Sequence, residues 1–151
     1  MERAKHFRES DYDINKKIRS AINKKLKIVF CIGETFKERR KKLTHSVLKK
    51  QINRGLKGVK NCRDIIIAYE PVWSIGTGII PKDKELQINV NKISKIISKR
   101  TKSKLPILYG GSVNNKNIST LKNISGISGF LVGSASLSTK KFIDIIKKTI
   151  N

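Results

Sequence analysis

The chain has 151 residues, and 34 Lys+Arg against 11 Asp+Glu give it a formal net charge of +23. The length predicts a single domain spanning residues 1–151, and a hydrophobic content of 38% is sufficient for a core. Neither a membrane span of about 18 uncharged apolar residues nor the apolar segment of a signal peptide is found, since the first stretch, MERAKHFRESDYD, is polar.

Four short runs of mainly β-branched and other apolar residues predict strands. In chain order these runs are residues 27–32, 64–70, 106–109 and 129–132. Each run is nearly continuous in apolar residues, which is typical of strands that are buried on both faces of a parallel sheet.

Amphipathic segments precede, separate and follow these runs. Apolar residues recur at helical spacing in Ile14, Ile18, Ala21 and Ile22; in Leu43, Val47, Leu48 and Ile52; in Leu86, Val90, Ile93 and Ile97; in the short pair Ile118 and Leu121; and in Phe142, Ile143, Ile146 and Ile150. One helix followed by four strand–helix units predicts an α/β fold with parallel strands.

Glycine and serine follow three of the four predicted strands. The loops read Gly76-Thr77-Gly78 after the second strand, Gly110-Gly111-Ser112 after the third and Gly133-Ser134 after the fourth. In parallel α/β proteins these strand ends form the binding edge of the sheet, and such loops let backbone N–H groups approach an anion. The pattern fits a phosphate-bearing ligand, and it fits equally well glycines that only form tight turns.

Glu70 ends the second apolar run and precedes Pro71. A carboxyl group that is buried near apolar side chains has a raised pKa, which suits a general base at neutral pH. The alternative is a structural carboxylate, either solvated at the strand end or held in a salt bridge, and this is the commoner case.

The histidines and cysteines predict neither a metal site nor a cofactor. His6 and His45 lack partners at the spacing of metal ligands, so we interpret both as surface residues. Cys31 lies within an apolar run, which favours a small buried side chain, and Cys62 shows no nucleophile–base arrangement. Two cysteines without a disulfide pattern indicate the cytoplasm.

The positive charge comes mostly from lysine, with 26 Lys and 8 Arg. Proteins that recognise nucleic acid favour Arg, whose fork matches phosphates and base edges. Here the lysines are spread along the chain, without a basic stripe interleaved with aromatic residues. We interpret the charge as compositional drift toward A/T-rich codons. It predicts only non-specific attraction to nucleic acid.

Taken together, the four strand ends resemble the triosephosphate isomerase family. The matching blocks are CIGET at residues 31–35, AYEPVWSIGTG at 68–78, LYGGSV at 108–113 and GFLVG at 129–133. They occur in the family's order and at its spacing, and the resemblance extends over the whole chain.

The resemblance implies part of a TIM barrel, which in full has eight parallel strands in about 250 residues. This chain matches the last four strands, so we expect a carboxyl-terminal half-barrel. The family's electrophilic histidine, its active-site lysine and the loop that reaches into the partner subunit have no match here. Glu2 matches a family glutamate that lies near that lysine, and Met1 stands where the family's motif has Ser.

The resemblance also implies roles for single residues. Glu70 matches the base that moves a proton between two carbons of a triose phosphate through an enediol, as in the family. The backbone N–H groups that hold the phosphate are matched by those of Gly76, Ser112, Gly133 and Ser134.

Residues 72–82 match the family's lid loop, which closes over the substrate and excludes water. The residues matching the lid and its tether are Trp73, Thr77, Gly78 and Tyr109. Two positions depart from the family. Ser134 replaces a usual glycine, which is unfavourable if the backbone there needs a positive φ. Pro81 has no N–H to offer Tyr109, so lid closure needs another tether.

The family interconverts dihydroxyacetone phosphate and D-glyceraldehyde 3-phosphate. From this chain alone we expect little or no isomerase activity, because base, electrophile and phosphate clamp act as one unit. The alternatives are a non-catalytic half-barrel that binds phosphate or a polyanion, and a structural fragment that self-associates through its open sheet edges. The family is homodimeric, but its dimer loop has no match here.

Overall fold

All four apolar runs lie in one parallel sheet of the computed structural model, which describes residues 9–150. The strands, in the same order in space as in the chain, are β1 (Ile28–Ile32), β2 (Ile65–Tyr69), β3 (Ile107–Tyr109) and β4 (Gly129–Phe130). The register pairs Ile32 with Tyr69 and Tyr69 with Tyr109, so the carboxyl ends of the first three strands lie level. The predicted α/β fold with four parallel strands is confirmed. Met1, Glu2 and His6 lie outside the described residues.

Helices flank the sheet at the predicted places. In the described part of the chain they are α1 (Asp11–Asn23), α2 (Phe36–Arg40), α3 (Thr44–Gly55), α4 (Asp83–Thr101), α5 (Ile118–Leu121) and α6 (Thr139–Ile150), with short 3-10 helices at Val72–Ser74 and Ser134–Leu137. The apolar pattern does not predict α2. Its start is set by a capping box, in which Thr35 and Glu38 satisfy each other's backbone N–H groups.

The core lies between one face of the sheet and the helices that cover it. Its strand side chains include Phe30, Ile32, Ile65 and Ile67, and its helix side chains include Leu48, Ile52, Leu86, Val90, Ile93 and Ile97. Each of these side chains is at most 4% exposed, and burying such a group stabilises the fold by roughly 1.5–3 kcal/mol. The stripe predicted on α4 therefore packs as its spacing indicates. On α3 this holds for Leu48 and Ile52, whereas Leu43 precedes the helix and is 43% exposed.

The opposite face of the sheet is covered less. Val29 is 47% exposed although its neighbour Phe30 is 4% exposed, and Ile66 and Leu108 are half-buried. Alternate residues of a strand point to opposite faces, and the register aligns Val29 with Ile66. These side chains thus share the face away from the core. The burial on both faces that the continuous apolar runs predict is therefore wrong for Val29, whereas Ala68 on the same face is fully buried.

Helix α6 forms where it is predicted, but its apolar stripe is not buried. Phe142, Ile143, Ile146 and Ile150 are between 37% and 79% exposed, whereas Ile145 is 3% exposed. The helix packs on α5 and on the 3-10 helix Ser134–Leu137 beside β4, the last strand of the sheet. The stripe therefore lies at an open edge of the described structure, where no further strand is present to cover it.

Candidate functional site

A cavity of about 940 Å³ lies at the carboxyl ends of the strands. Residues from all four strand ends line it, including Cys31, Glu70, Gly110, Gly111 and Gly133. Six residues predicted for the site take part in the lining, namely Glu70, Gly76, Gly78, Ser112, Gly133 and Ser134. Trp73, Thr77 and Tyr109 do not line the cavity. They contact the loop at residues 72–82 or belong to it.

Glu70 is placed in the cavity by two glycines, each of which directly follows a neighbouring strand. Its backbone N–H donates to the Ile32 carbonyl at 2.8 Å, which extends the β1–β2 pairing beyond Tyr69. A Cβ at Gly110 would lie 2.7 Å from Glu70 Cγ, and a Cβ at Gly33 would lie 1.9 Å from the Glu70 carbonyl oxygen. Any side chain at either glycine would displace Glu70, so both positions are shaped around this residue.

The Cys31 thiol forms a hydrogen bond with the Glu70 carboxylate. Burial, together with the negative charge of Glu70 and a hydrogen bond between the two side chains, raises the pKa of the Cys31 thiol to about 12. The thiol is therefore neutral at physiological pH and acts as a hydrogen-bonding partner of Glu70. Sequence reasoning interpreted Cys31 as a buried apolar side chain, whereas the structure places it half-buried in the cavity wall.

A second carboxylate, Glu34, follows β1 and is fully buried. Its side chain accepts hydrogen bonds from Trp73 Nε1 at 2.9 Å and from the Tyr69 hydroxyl at 3.2 Å. The Tyr69 hydroxyl in turn accepts from Asn89 Nδ2 at 2.9 Å. Burial raises the pKa of Glu34 although these hydrogen bonds oppose the shift. Glu34 does not line the cavity and ties the base of the 72–82 loop to the sheet.

Trp73 is fixed on its ring face as well as at its N–H. The Arg39 guanidinium carbon lies 4.3 Å from the centre of the indole ring, a distance suited to a cation–π contact. Arg39 also donates two hydrogen bonds of 2.8 Å to the carboxylate of Glu85. The pair raises the pKa of Arg39 and lowers that of Glu85. Trp73 therefore contacts Glu34 with its N–H and Arg39 of α2 with its ring, and Arg39 in turn links α2 to Glu85 of α4.

The 72–82 loop is held across the cavity by hydrogen bonds to Ser112. Gly78 N–H donates to Ser112 Oγ at 2.9 Å, and Ser112 Oγ donates to the Ser74 carbonyl at 2.6 Å. Gly76 and Gly78 have φ values of +70° and +79°, which favour glycine over any other residue. Thr77 closes the loop internally, since its hydroxyl donates to the Trp73 carbonyl at 3.1 Å.

Tyr109 contacts the same loop through its hydroxyl group. Its ring is fully buried, and its hydroxyl lies 3.1 Å from Ser74 Oγ. Burial raises the pKa of Tyr109 to about 12, while the hydrogen bond with Ser74 opposes the shift. Ser74 is thus a contact that sequence reasoning missed, because a serine beside a tryptophan in a loop gives no pattern that distinguishes it.

Gly133 and Ser134 line the cavity after β4, two strands along the sheet from β2 and Glu70, at the start of the 3-10 helix Ser134–Leu137. Ser134 is not among the residues with a positive φ in the described chain, which are glycines and three lysines outside the cavity. Serine at this position therefore carries no backbone strain. Two cations, Lys116 and Lys141, also line the cavity.

Metal binding finds no support in residues 9–150, where no three His, Cys, Asp or Glu side chains come together. His45 is exposed on α3.

Comparison with known proteins identifies similar sequences over nearly the whole chain. A sequence model of the triosephosphate isomerase family matches residues 1–149. The triosephosphate isomerase of Thermodesulfovibrio yellowstonii is 43% identical over 150 residues, covering 97% of this chain and 61% of the relative. That of Mycoplasmoides gallisepticum is 43% identical over 152 residues, covering 97% and 60%. That of Saccharomyces cerevisiae is 39% identical over 149 residues, covering 96% and 60%. The chain thus spans about 60% of the length of these curated relatives.

Proposed function

Because the chain belongs to the triosephosphate isomerase family, we propose that it carries the base and the phosphate clamp of a triose-phosphate site. In this proposal residues 1–151 form one domain, and the four strands are the last four of the family's eight-stranded barrel. The proposal is supported by the order of the strand-end motifs and by the single parallel sheet that joins them.

One observation carries the proposal. Glu70 lines the same cavity as Gly76, Ser112, Gly133 and Ser134, so a carboxylate and the loops that carry the candidate phosphate-binding residues border one volume. A triose phosphate held by its phosphate at these loops places its carbon chain toward Glu70. The carboxylate can then take a proton from the carbon next to the carbonyl and return it to the neighbouring carbon.

The cavity is also electrostatically suited to a dianion. Lys116 and Lys141 line it, and backbone N–H groups in Gly-rich loops form concave anion sites. The 72–82 loop acts as the lid, with Trp73, Thr77 and Gly78 shaping it and Tyr109 holding it. Closing the lid excludes water and strengthens the interactions within the cavity.

Catalysis needs an electrophile as well as a base, and no residue of this chain matches the family's histidine or lysine. We therefore expect this chain alone to show little or no interconversion of dihydroxyacetone phosphate and glyceraldehyde 3-phosphate. A coupled assay over a range of protein concentrations tests this, with Glu70→Gln as the control for contaminating enzyme. Turnover that grows with protein concentration and disappears in Glu70→Gln would contradict the expectation of inactivity.

Phosphate binding is tested separately from turnover. Titration with a triose-phosphate analogue should give saturable binding that Ser112→Pro abolishes, because proline removes the N–H at that position. Titration with DNA should give only salt-dependent, non-saturating binding, as expected from charge alone. If the analogue does not bind wild-type protein, the proposed clamp is wrong. Retained analogue binding without turnover identifies the chain as a non-catalytic phosphate-binding half-barrel.

We also propose that the chain self-associates through its two open sheet edges. Leu26 just before β1 is 57% exposed, and Val29 within β1 is 47% exposed on the less covered face of the sheet. Leu137 and Phe142, which follow β4 in the chain, are 89% and 37% exposed. Burying these apolar groups favours association, whereas the charge of +23 on each copy opposes it. Light scattering after gel filtration should show dimers or larger species, increasingly so at high salt. A monomer at every salt concentration would overturn this proposal.

A cytoplasmic location remains a proposal. Both cysteines are unpaired, and no helix among residues 9–150 is long and apolar enough to cross a membrane.

A further inference from the structure

Ser74 is a fully buried polar residue to which neither the sequence nor the proposed chemistry gives a role. Its hydroxyl oxygen lies 2.6 Å from the Ile79 carbonyl, 3.1 Å from the Tyr109 hydroxyl and 3.3 Å from the Ser112 backbone nitrogen. Its own carbonyl accepts a hydrogen bond from Ser112 Oγ at 2.6 Å. One residue thus connects the beginning of the 72–82 loop, a later point in the same loop, and the loop that follows β3.

The number of protons available determines the direction of these hydrogen bonds. A serine hydroxyl has one proton to donate and two lone pairs that accept. The Ile79 carbonyl can only accept, so the Ser74 proton is committed to it. The Tyr109 hydroxyl and the Ser112 N–H must therefore both donate to Ser74 Oγ. The oxygen uses its full capacity, as expected of a buried polar group.

We propose that Ser74 is the positioning residue that holds the lid loop over the cavity. The side chain is suited to this role because Pro81, near the end of the same loop, has no N–H with which to bind a tyrosine hydroxyl. Tyr109 is instead connected to the loop through the Ser74 hydroxyl. The contact with the Ile79 carbonyl then closes residues 74–79 into a ring, and that ring contains Gly76 and Gly78.

The ring also fixes the hydrogen bonds between the loop and Ser112. Gly78 N–H donates to Ser112 Oγ, and that hydroxyl donates to the Ser74 carbonyl. The packing around Ser74 Oγ is tight, since a Cβ at Gly111 would lie 2.5 Å from it and 2.1 Å from the Tyr109 hydroxyl oxygen. Removing the hydroxyl leaves the Tyr109 hydroxyl and the Ser112 N–H without their acceptor, which weakens the attachment of the whole loop.

This role rests on the proposed function only in that the loop is taken as a lid, so its test does not need turnover. The experiment measures backbone hydrogen exchange in Ser74→Ala. We expect the Gly78 and Ile79 amides to exchange about tenfold faster, the size of change that one lost hydrogen bond produces. The Gly78 hydrogen bond to Ser112 Oγ is not itself removed by the substitution, so its faster exchange reports the attachment of the loop. The affinity for inorganic phosphate should fall several-fold as Gly76 loses its position.

Ser46→Ala is the matched control. Ser46 also donates its hydroxyl to a backbone carbonyl, that of Leu43 at 2.8 Å, but on α3 and away from the cavity. The Ser46→Ala substitution should leave hydrogen exchange at the amides of residues 75–80 and the affinity for phosphate unchanged. If Ser74→Ala does not fold, Tyr109→Phe tests the same bond from its other end. Where Ser74→Ala does fold, the double variant should be no worse than Ser74→Ala, because both substitutions remove the same Ser74–Tyr109 hydrogen bond.

The proposal is overturned if Gly78 and Ile79 exchange at the wild-type rate in both variants. It is equally overturned if all amides accelerate together, since that shows a general loss of stability rather than a released loop. Failure of the proposed function has a different result. Wild-type protein would then bind no phosphate, while the loop amides would still respond to Ser74→Ala.

Discussion

Glu34 and Glu70 follow neighbouring parallel strands, yet their surroundings are opposite. Glu34 is fully buried and accepts hydrogen bonds from Trp73 and Tyr69. Glu70 is half-buried, lines the cavity and contacts the neutral thiol of Cys31. A carboxylate whose oxygens are occupied by buried donors stabilises a structure, whereas a carboxylate that faces an accessible volume can exchange a proton with a ligand. Burial alone therefore does not identify the chemical group in this chain.

The largest expected difference between the two is in stability. Glu34→Ala leaves the Trp73 N–H without an acceptor, removes a partner of the Tyr69 hydroxyl and opens a cavity, so the free energy of unfolding should fall by about 3 kcal/mol. Glu70→Ala should reduce it by less, about 1 kcal/mol, because Glu70 is half-buried whereas Glu34 is fully buried. Urea unfolding followed by Trp73 fluorescence measures both. Equal losses in the two variants would remove the distinction drawn between these glutamates.

The pH dependence of stability sharpens the comparison. The pKa of Glu34 is raised by burial above its ordinary value of 4.5, so between the two values the folded state binds more protons than the unfolded state. The free energy of unfolding therefore falls as pH rises through this window, and the contribution of Glu34 is constant above it. Glu34→Gln removes this slope.

The measurement is the difference in unfolding free energy between wild type and Glu34→Gln at a series of pH values. Wild type should lose stability relative to the variant as pH rises from about 4.5. Other acidic groups with shifted pKa values remain in both proteins, so their contributions largely cancel. A constant difference across the series would show that the pKa of Glu34 is not raised.

The smallest expected effect is a change in the reactivity of the Cys31 thiol, with the fold unchanged. Glu70→Gln removes a negative charge that raises the thiol pKa, so this pKa should fall from about 12. It should stay above the ordinary value of 9.0, because burial is the larger cause and is unchanged. In a Cys62→Ser background, alkylation near pH 9 should become about tenfold faster for each unit by which the pKa falls. If the alkylation rate depends on pH identically with and without Glu70→Gln, the charge of Glu70 does not raise the pKa of Cys31.

Local sequence predicts the elements well because their causes are local. The β-branched runs become strands and the apolar stripes become helices, since the period of the apolar residues matches each geometry. The stripes of α4 and α6 nevertheless differ in burial. Leu86 is fully buried, whereas Ile146 is 41% exposed. The two patterns have the same period, and only the presence of a sheet beneath α4 and of an open edge beside α6 separates them.

The features of the site likewise fall into those that local sequence predicts and those that depend on the tertiary structure. Sequence by itself determined which residue types end each strand, so Glu70, Gly76, Ser112 and Gly133 could be singled out as candidates. Only the tertiary structure decided that Glu34 accepts hydrogen bonds from Trp73 and Tyr69 while Glu70 lines a cavity, and that Ser74 joins the loop to Tyr109. The reason is physical. A residue's type and its place in a strand follow from local sequence, whereas its burial and its hydrogen-bond partners depend on residues about 20 to 40 positions away in the chain.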